Sequence, residues 1–98
     1  MNLADNEVPR YFKTVYVPDD KFLLIGGLER ESSKTSNRCF MIDNQGKLSA
    51  AMDLHVGRQY FAVATDYLKD LIYVIGGFNH ENGVLDSFEK FNLRSRKW

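Results

Sequence analysis

Cysteine is almost missing from this chain: Cys39 stands alone among 98 residues, which excludes a domain held by disulfides. No Asn-X-Ser/Thr sequon occurs, so a glycosylated extracellular surface finds no support. Proline appears only twice, and the chain has none of the Pro-rich bias of linkers or disordered tails. Neither sign of charge is in excess, with 13 Lys and Arg against 13 Asp and Glu, so no net field draws the chain to nucleic acid or an anionic membrane. Long apolar runs are absent too. No run, those at residues 22–25 and 71–75 included, exceeds five residues, far short of the roughly 20 that span a bilayer. The opening Met1-Asn2-Leu3-Ala4-Asp5 lacks the basic and apolar regions of a signal peptide. A soluble, cytoplasmic chain is the expectation. What is present is 44% hydrophobic and 13% aromatic residues, enough to fold one small domain around an apolar core.

The chain repeats itself. Phe22-Leu23-Leu24-Ile25-Gly26-Gly27 and Ile72-Tyr73-Val74-Ile75-Gly76-Gly77 are apolar runs closed by a diglycine, 50 residues apart. At the same offset Met41 falls on Phe91 and Leu48 on Trp98. Upstream, Arg10 and Arg58 each open a segment rich in β-branched and aromatic residues. Each unit reads as four short strands: residues 11–17, 22–26, 38–43 and 48–52 in the first, and 59–65, 71–76 and 87–93 in the second, with Trp98 opening a fourth. Pro18-Asp19-Asp20-Lys21, Asn44-Gln45-Gly46-Lys47 and Asn82-Gly83 supply turn chemistry between them. No apolar 3.6-residue period runs long enough for a helix. Ile75, at the end of an apolar strand, is expected in the sheet interior, where Ile75→Asp would be strongly destabilising.

Four antiparallel strands per repeat of about 50 residues is the blade of a β-propeller. The second unit, from Arg58 through Gly76-Gly77 to Phe91 and Trp98, resembles a kelch repeat; the first keeps Arg10, Gly26 and Gly27 but has Met41 and Leu48 where that pattern has an aromatic residue and tryptophan. The resemblance implies an all-β chain of two adjacent four-stranded antiparallel blades in an incomplete ring. Its expected divisions are an N-terminal segment, 1–9, a first blade, 10–57, and a second, 58–98, lacking most of its last strand. Arg10, Gly26, Gly27, Arg58, Gly76, Gly77, Phe91 and Trp98 then have structural roles: glycines leave a strand at positive φ, and large aromatics fill the gap between twisted sheets.

Catalytic chemistry is sparse. His55, His80 and Cys39 lack metal-site spacing, so no metal and no cofactor is expected. Asp86 and Glu89 lie three apart, an odd spacing that places them on opposite faces of a strand, and both are expected to be solvated. Ser32, Ser33 and Ser36 read as a polar loop without a nucleophile's surroundings. Topology says more. Strands that alternate in direction gather the long segments 28–37 and 78–86 and the inter-blade link 53–57 at one end, opposite the tight turns. Binding side chains concentrate on such loops, and kelch propellers are similar in gripping partners there. Arg30, His55, Asn79, His80 and Glu81 are the candidate partner-binding residues. The expectation is a non-enzymatic protein-protein interaction module, a scaffold or adaptor binding a protein or peptide through one loop-rich rim. The alternatives are part of a propeller enzyme of the sugar-oxidase or sialic-acid-isomerase type, and the substrate-receptor propeller of a ubiquitin ligase.

Overall fold

Strands that alternate along short segments bury one face each, so they need partner sheets rather than partner helices. The computed structural model describes residues 8–98; the N-terminal segment 1–9 therefore lies mostly outside the described residues. Nine strands occur there: β1 Lys13–Val17, β2 Lys21–Ile25, β3 Cys39–Ile42, β4 Leu48–Ala50, β5 Ala62–Asp66, β6 Leu71–Ile75, β7 Phe78–Asn79, β8 Gly83–Val84 and β9 Phe88–Asn92. They form a four-stranded antiparallel sheet β1-β2-β3-β4, a three-stranded sheet β5-β6-β9, and the small hairpin β7-β8. No helix long and apolar enough to cross a membrane occurs among the described residues. The hairpin inside segment 78–86 was not expected; Asn82-Gly83 turns it, with Gly83 at φ 76°.

The two sheets are repeats of one another, with slips of one residue. Each diglycine takes the same path, Gly26 and Gly27 at φ 60° and 106°, Gly76 and Gly77 at 67° and 96°. Backbone bonds pair Arg10 with Leu28 in the first unit and Gln59 with Phe78 in the second. Tyr11 and Tyr60, at φ 58° and 59°, follow those residues. Gln59, not Arg58, thus occupies the place of Arg10, and Pro9 stands where Arg58 stands. Likewise Gly26 N–H donates to the Arg38 carbonyl and Gly76 N–H to that of Ser87, which superposes Ile42, not Met41, on Phe91.

One core joins the sheets. The first contributes Val15, Val17, Leu23, Ile25, Cys39 and Met41; the second sheet and its approach contribute Leu54, Phe61, Ile72, Val74, Phe91 and Leu93, all buried. Residues of odd number on β2 meet those of even number on β6, so each unit turns its even face toward the preceding side and its odd face toward the following one. The first unit's odd face is covered by the second unit; among the described residues nothing covers the second unit's odd face. Ile25 is fully buried, whereas its repeat Ile75 is 46% exposed, beside Phe88 at 58%. The expected burial of Ile75 is not found, because no sheet among the described residues covers it as the second unit covers Ile25. Ile75→Asp should shift an unfolding midpoint little, while Ile25→Asp, which places an unpaired charge in the core, should cost several kcal/mol, on the order of 3 or more; equal shifts in a urea titration would contradict this packing.

Cys39 shows how dry that core is. Burial pushes its thiol up from 9.0 to about 12, against weaker opposing hydrogen bonds from Gly26 and Leu54. The folded chain keeps the proton that the unfolded chain releases above 9.0, so stability present below that pH is lost progressively as pH rises toward about 12. Urea midpoints should fall across that window in the native chain and stay flatter in Cys39→Val. Alkylation by iodoacetamide should wait for unfolding.

Candidate functional site

The long loops do converge at one end. Segment 28–37 folds back so that Leu28 bridges Thr35, and Ser36, expected in a solvated loop, is buried: its hydroxyl donates to Glu29 Oε1 at 2.6 Å and accepts the Arg38 N–H at 3.0 Å. The inter-blade link is fixed from below by Glu89, which is not solvated as expected but 9% exposed. Its two carboxylate oxygens accept the backbone N–H groups of His55 and Val56, at 2.8 and 3.0 Å. Beneath it lies Arg58, with no exposed surface. Arg58 donates through Nη1 to the carbonyls of Gly76 and Ser87 and through Nη2 to Ser87 Oγ and Glu89 Oε2, at 2.9 to 3.2 Å. One buried ion pair thus ties β9, the second diglycine and the inter-blade link together. Asp86, by contrast, is exposed.

On this base the loops line an open polar cavity of about 290 Å³, bordered among others by Thr35 and Asn37 of the first unit, His55 of the link, and Asn79, Glu81 and Asn82 of the second. The side chains differ in freedom. Asn79 is 7% exposed; its Nδ2 donates to the Gly57 carbonyl at 2.7 Å and its Oδ1 accepts the N–H groups of Glu81 and Asn82 at 2.8 and 3.3 Å. It shapes the wall and has little capacity left. His55 and Glu81 are exposed.

His80 stands beside the cavity. Its Nδ1 lies 3.0 Å from Thr35 Oγ1, which also accepts the His80 N–H at 3.0 Å and Gln59 Nε2 at 3.2 Å. With two N–H groups already donating to it, the Thr35 hydroxyl has its own proton for Nδ1, which places the imidazole proton on Nε2. The ring also meets Phe78 edge to face, centroids 5.3 Å apart. His80 therefore latches the first unit's loop to the second's. Arg30 is elsewhere: its Nε donates to the Val8 carbonyl at 2.8 Å, and it does not line the cavity.

Of the five candidates, the cavity unites His55, Asn79 and Glu81 and leaves out Arg30 and His80. Thr35, Asn37 and Asn82 escaped sequence reasoning, since polar residues in a polar loop carry no periodic signal. Among the described residues no three His, Cys, Asp or Glu side chains gather as a metal site. Phe91 is fully buried and Trp98 lies 4.9 Å from it, centroid to centroid, with Trp98 Nε1 donating to the Met52 carbonyl at 2.9 Å.

No curated protein matched the chain. Residues 59–98 match the family model described as the Kelch motif, which spans β5, β6, β9 and Trp98. The second unit is thus similar to a kelch motif, within an all-β chain of antiparallel sheets.

Proposed function

We propose that the chain is a non-enzymatic protein-interaction module that grips a polar peptide segment of a partner at its loop-rich rim. One observation carries this reading: loops from both units and the link between them line one open polar cavity, braced from beneath by the buried Arg58–Glu89 pair. Rigid support under exposed polar groups lowers the ordering cost of binding. Amide, imidazole, hydroxyl and carboxylate groups together offer donors and acceptors suited to a peptide backbone and its polar side chains.

The test is a random-peptide selection against the folded chain, with the selected peptides mapped by backbone amide chemical shifts. Perturbations are expected at residues 35–37, 55–57 and 79–82, and His55→Ala with Glu81→Ala should weaken those binders about ten-fold. Binders that map elsewhere and ignore both substitutions would overturn the rim as the binding surface.

A further inference from the structure

Backbone N–H groups that converge on a loop surface can hold an anion. Around the rim cavity they are spent inside the fold. Those of His55 and Val56 donate to Glu89, that of His80 donates to Thr35 Oγ1, and those of Glu81 and Asn82 donate to Asn79 Oδ1. Thr35 has no capacity left either, since its hydroxyl accepts two N–H groups and gives its own proton to His80 Nδ1. What remains for a partner includes the Glu81 carboxylate, the Asn82 amide, the His55 imidazole and one oxygen of Asn37. Asn37 donates through Nδ2 to the Leu54 carbonyl at 3.2 Å, which leaves its Oδ1 to accept.

Charge points the same way. Glu81 is the one acidic or basic side chain, histidine apart, that lines the cavity. No cation among the described residues lies within ion-pair distance of it. The three rim segments, 28–37, 53–57 and 78–86, hold five carboxylates against two cations, Arg30 and Lys34, in a chain that is neutral overall. Neither of those cations lines the cavity. Arg38, just beyond the first segment, is engaged by Glu29 at 3.5 Å, and carboxylates are still in excess when it is counted. The rim is therefore the acidic end of a neutral molecule, and its cavity combines one unpaired carboxylate with backbone donors that are already taken.

Taking the rim as the partner-binding surface, as proposed above, we infer that its cavity receives an arginine or lysine side chain, so that the partner's segment is basic. The N–H donors of that cation meet Glu81 and the Asn37 Oδ1. An acidic segment finds repulsion from Glu81 and no backbone donor at 55, 56 or 80–82 to offset it. The field of the rim steers basic segments toward it, an attraction that weakens as salt rises.

Three blocked pentapeptides, identical except for a central Arg, Gln or Glu, test this by titration into the isotopically labelled chain, followed through backbone amide shifts. The Arg peptide should perturb residues 35–37, 55–57 and 79–82 at the lowest concentration, and less readily at high salt. Glu81→Gln, which changes an exposed side chain, should weaken the Arg peptide about five-fold at low salt, to the level of the Gln peptide. Asp19→Asn, on an exposed turn at the opposite end of the strands, should change nothing. Equal shifts at the rim with all three peptides, or an Arg peptide indifferent to Glu81→Gln, would overturn the basic preference and leave the rim reading standing. Shifts that fall elsewhere for every peptide would overturn both.

Discussion

Arg58→Ala should lower the unfolding free energy by roughly 3–5 kcal/mol, the usual consequence of removing one member of a buried ion pair. The guanidinium is wholly buried and makes four hydrogen bonds. Without it, the carbonyls of Gly76 and Ser87 lose donors and Glu89 keeps a buried charge with only two backbone N–H groups to neutralise it. Each loss adds to the next because all occur in one dry network. The pair itself is not the source of the whole effect. One nitrogen of Arg58, Nε, has no partner, so the ion's desolvation is incompletely offset, and the penalty measures what the remaining partners suffer. Glu89→Gln removes that stranded charge while keeping an acceptor for the inter-blade link. Arg58→Ala combined with Glu89→Gln should therefore be less destabilised than the sum of the single changes, with a coupling of about 1–3 kcal/mol. Denaturant midpoints at constant m-value give all three numbers. Strict additivity would show that the two side chains do not act together.

Gly27→Ala should be nearly as damaging, while Gly76→Ala should be mild. Both glycines have positive φ, but their surroundings differ. A Cβ on Gly27 would lie 2.2 Å from the Arg10 carbonyl oxygen and near the backbone of Tyr11 and Phe12, at φ 106°. Backbone atoms bridged to Leu28 cannot step aside without breaking the bonds that join the start of the unit to the segment just after the diglycine. Strain and overpacking together amount to about 2–5 kcal/mol. At Gly76, φ is 67° and the nearest atom, the Leu85 carbonyl oxygen, is 3.5 Å away, so only the left-handed backbone penalty remains, about 1–2 kcal/mol. Thermal or urea midpoints that rank the two in the opposite order would contradict the close approach of the strands at the first diglycine.

Much of the blade architecture was legible because apolar runs, diglycines and turn residues are local signals. The fourth strand of the first unit was legible only in part: β4 stops at Ala50, and the chain then bends toward Leu54, whose N–H reaches the Asn37 carbonyl. The register between units was not legible from a single offset of 50. The turn between the first two strands has three residues in the first unit and four in the second, and the loop before the third strand is one residue shorter in the second. Each change slips the alignment by one, and one residue on a strand exchanges its faces. This is why Arg10 was matched to Arg58 and Met41 to Phe91. Glu89 was misread for a related reason. Its partner Arg58 lies 31 residues away, and nothing local tells a buried carboxylate from a solvated one. At the rim, the loops that hold His55, Asn79 and Glu81 could be assigned to one end of the sheets by strand alternation alone. The participation of Thr35 could not, because it depends on how segment 28–37 folds back on itself.

The central claim is that the two repeat units are adjacent blades sharing one core. Nuclear Overhauser contacts among isotopically labelled methyl groups test it most directly. The account predicts a continuous network linking Val17, Leu23 and Ile25 to Ile72 and Val74, together with contacts between the Trp98 indole and Met52. Methyl contacts confined to residues 10–57 on one side and 58–98 on the other, with none between them, would contradict it.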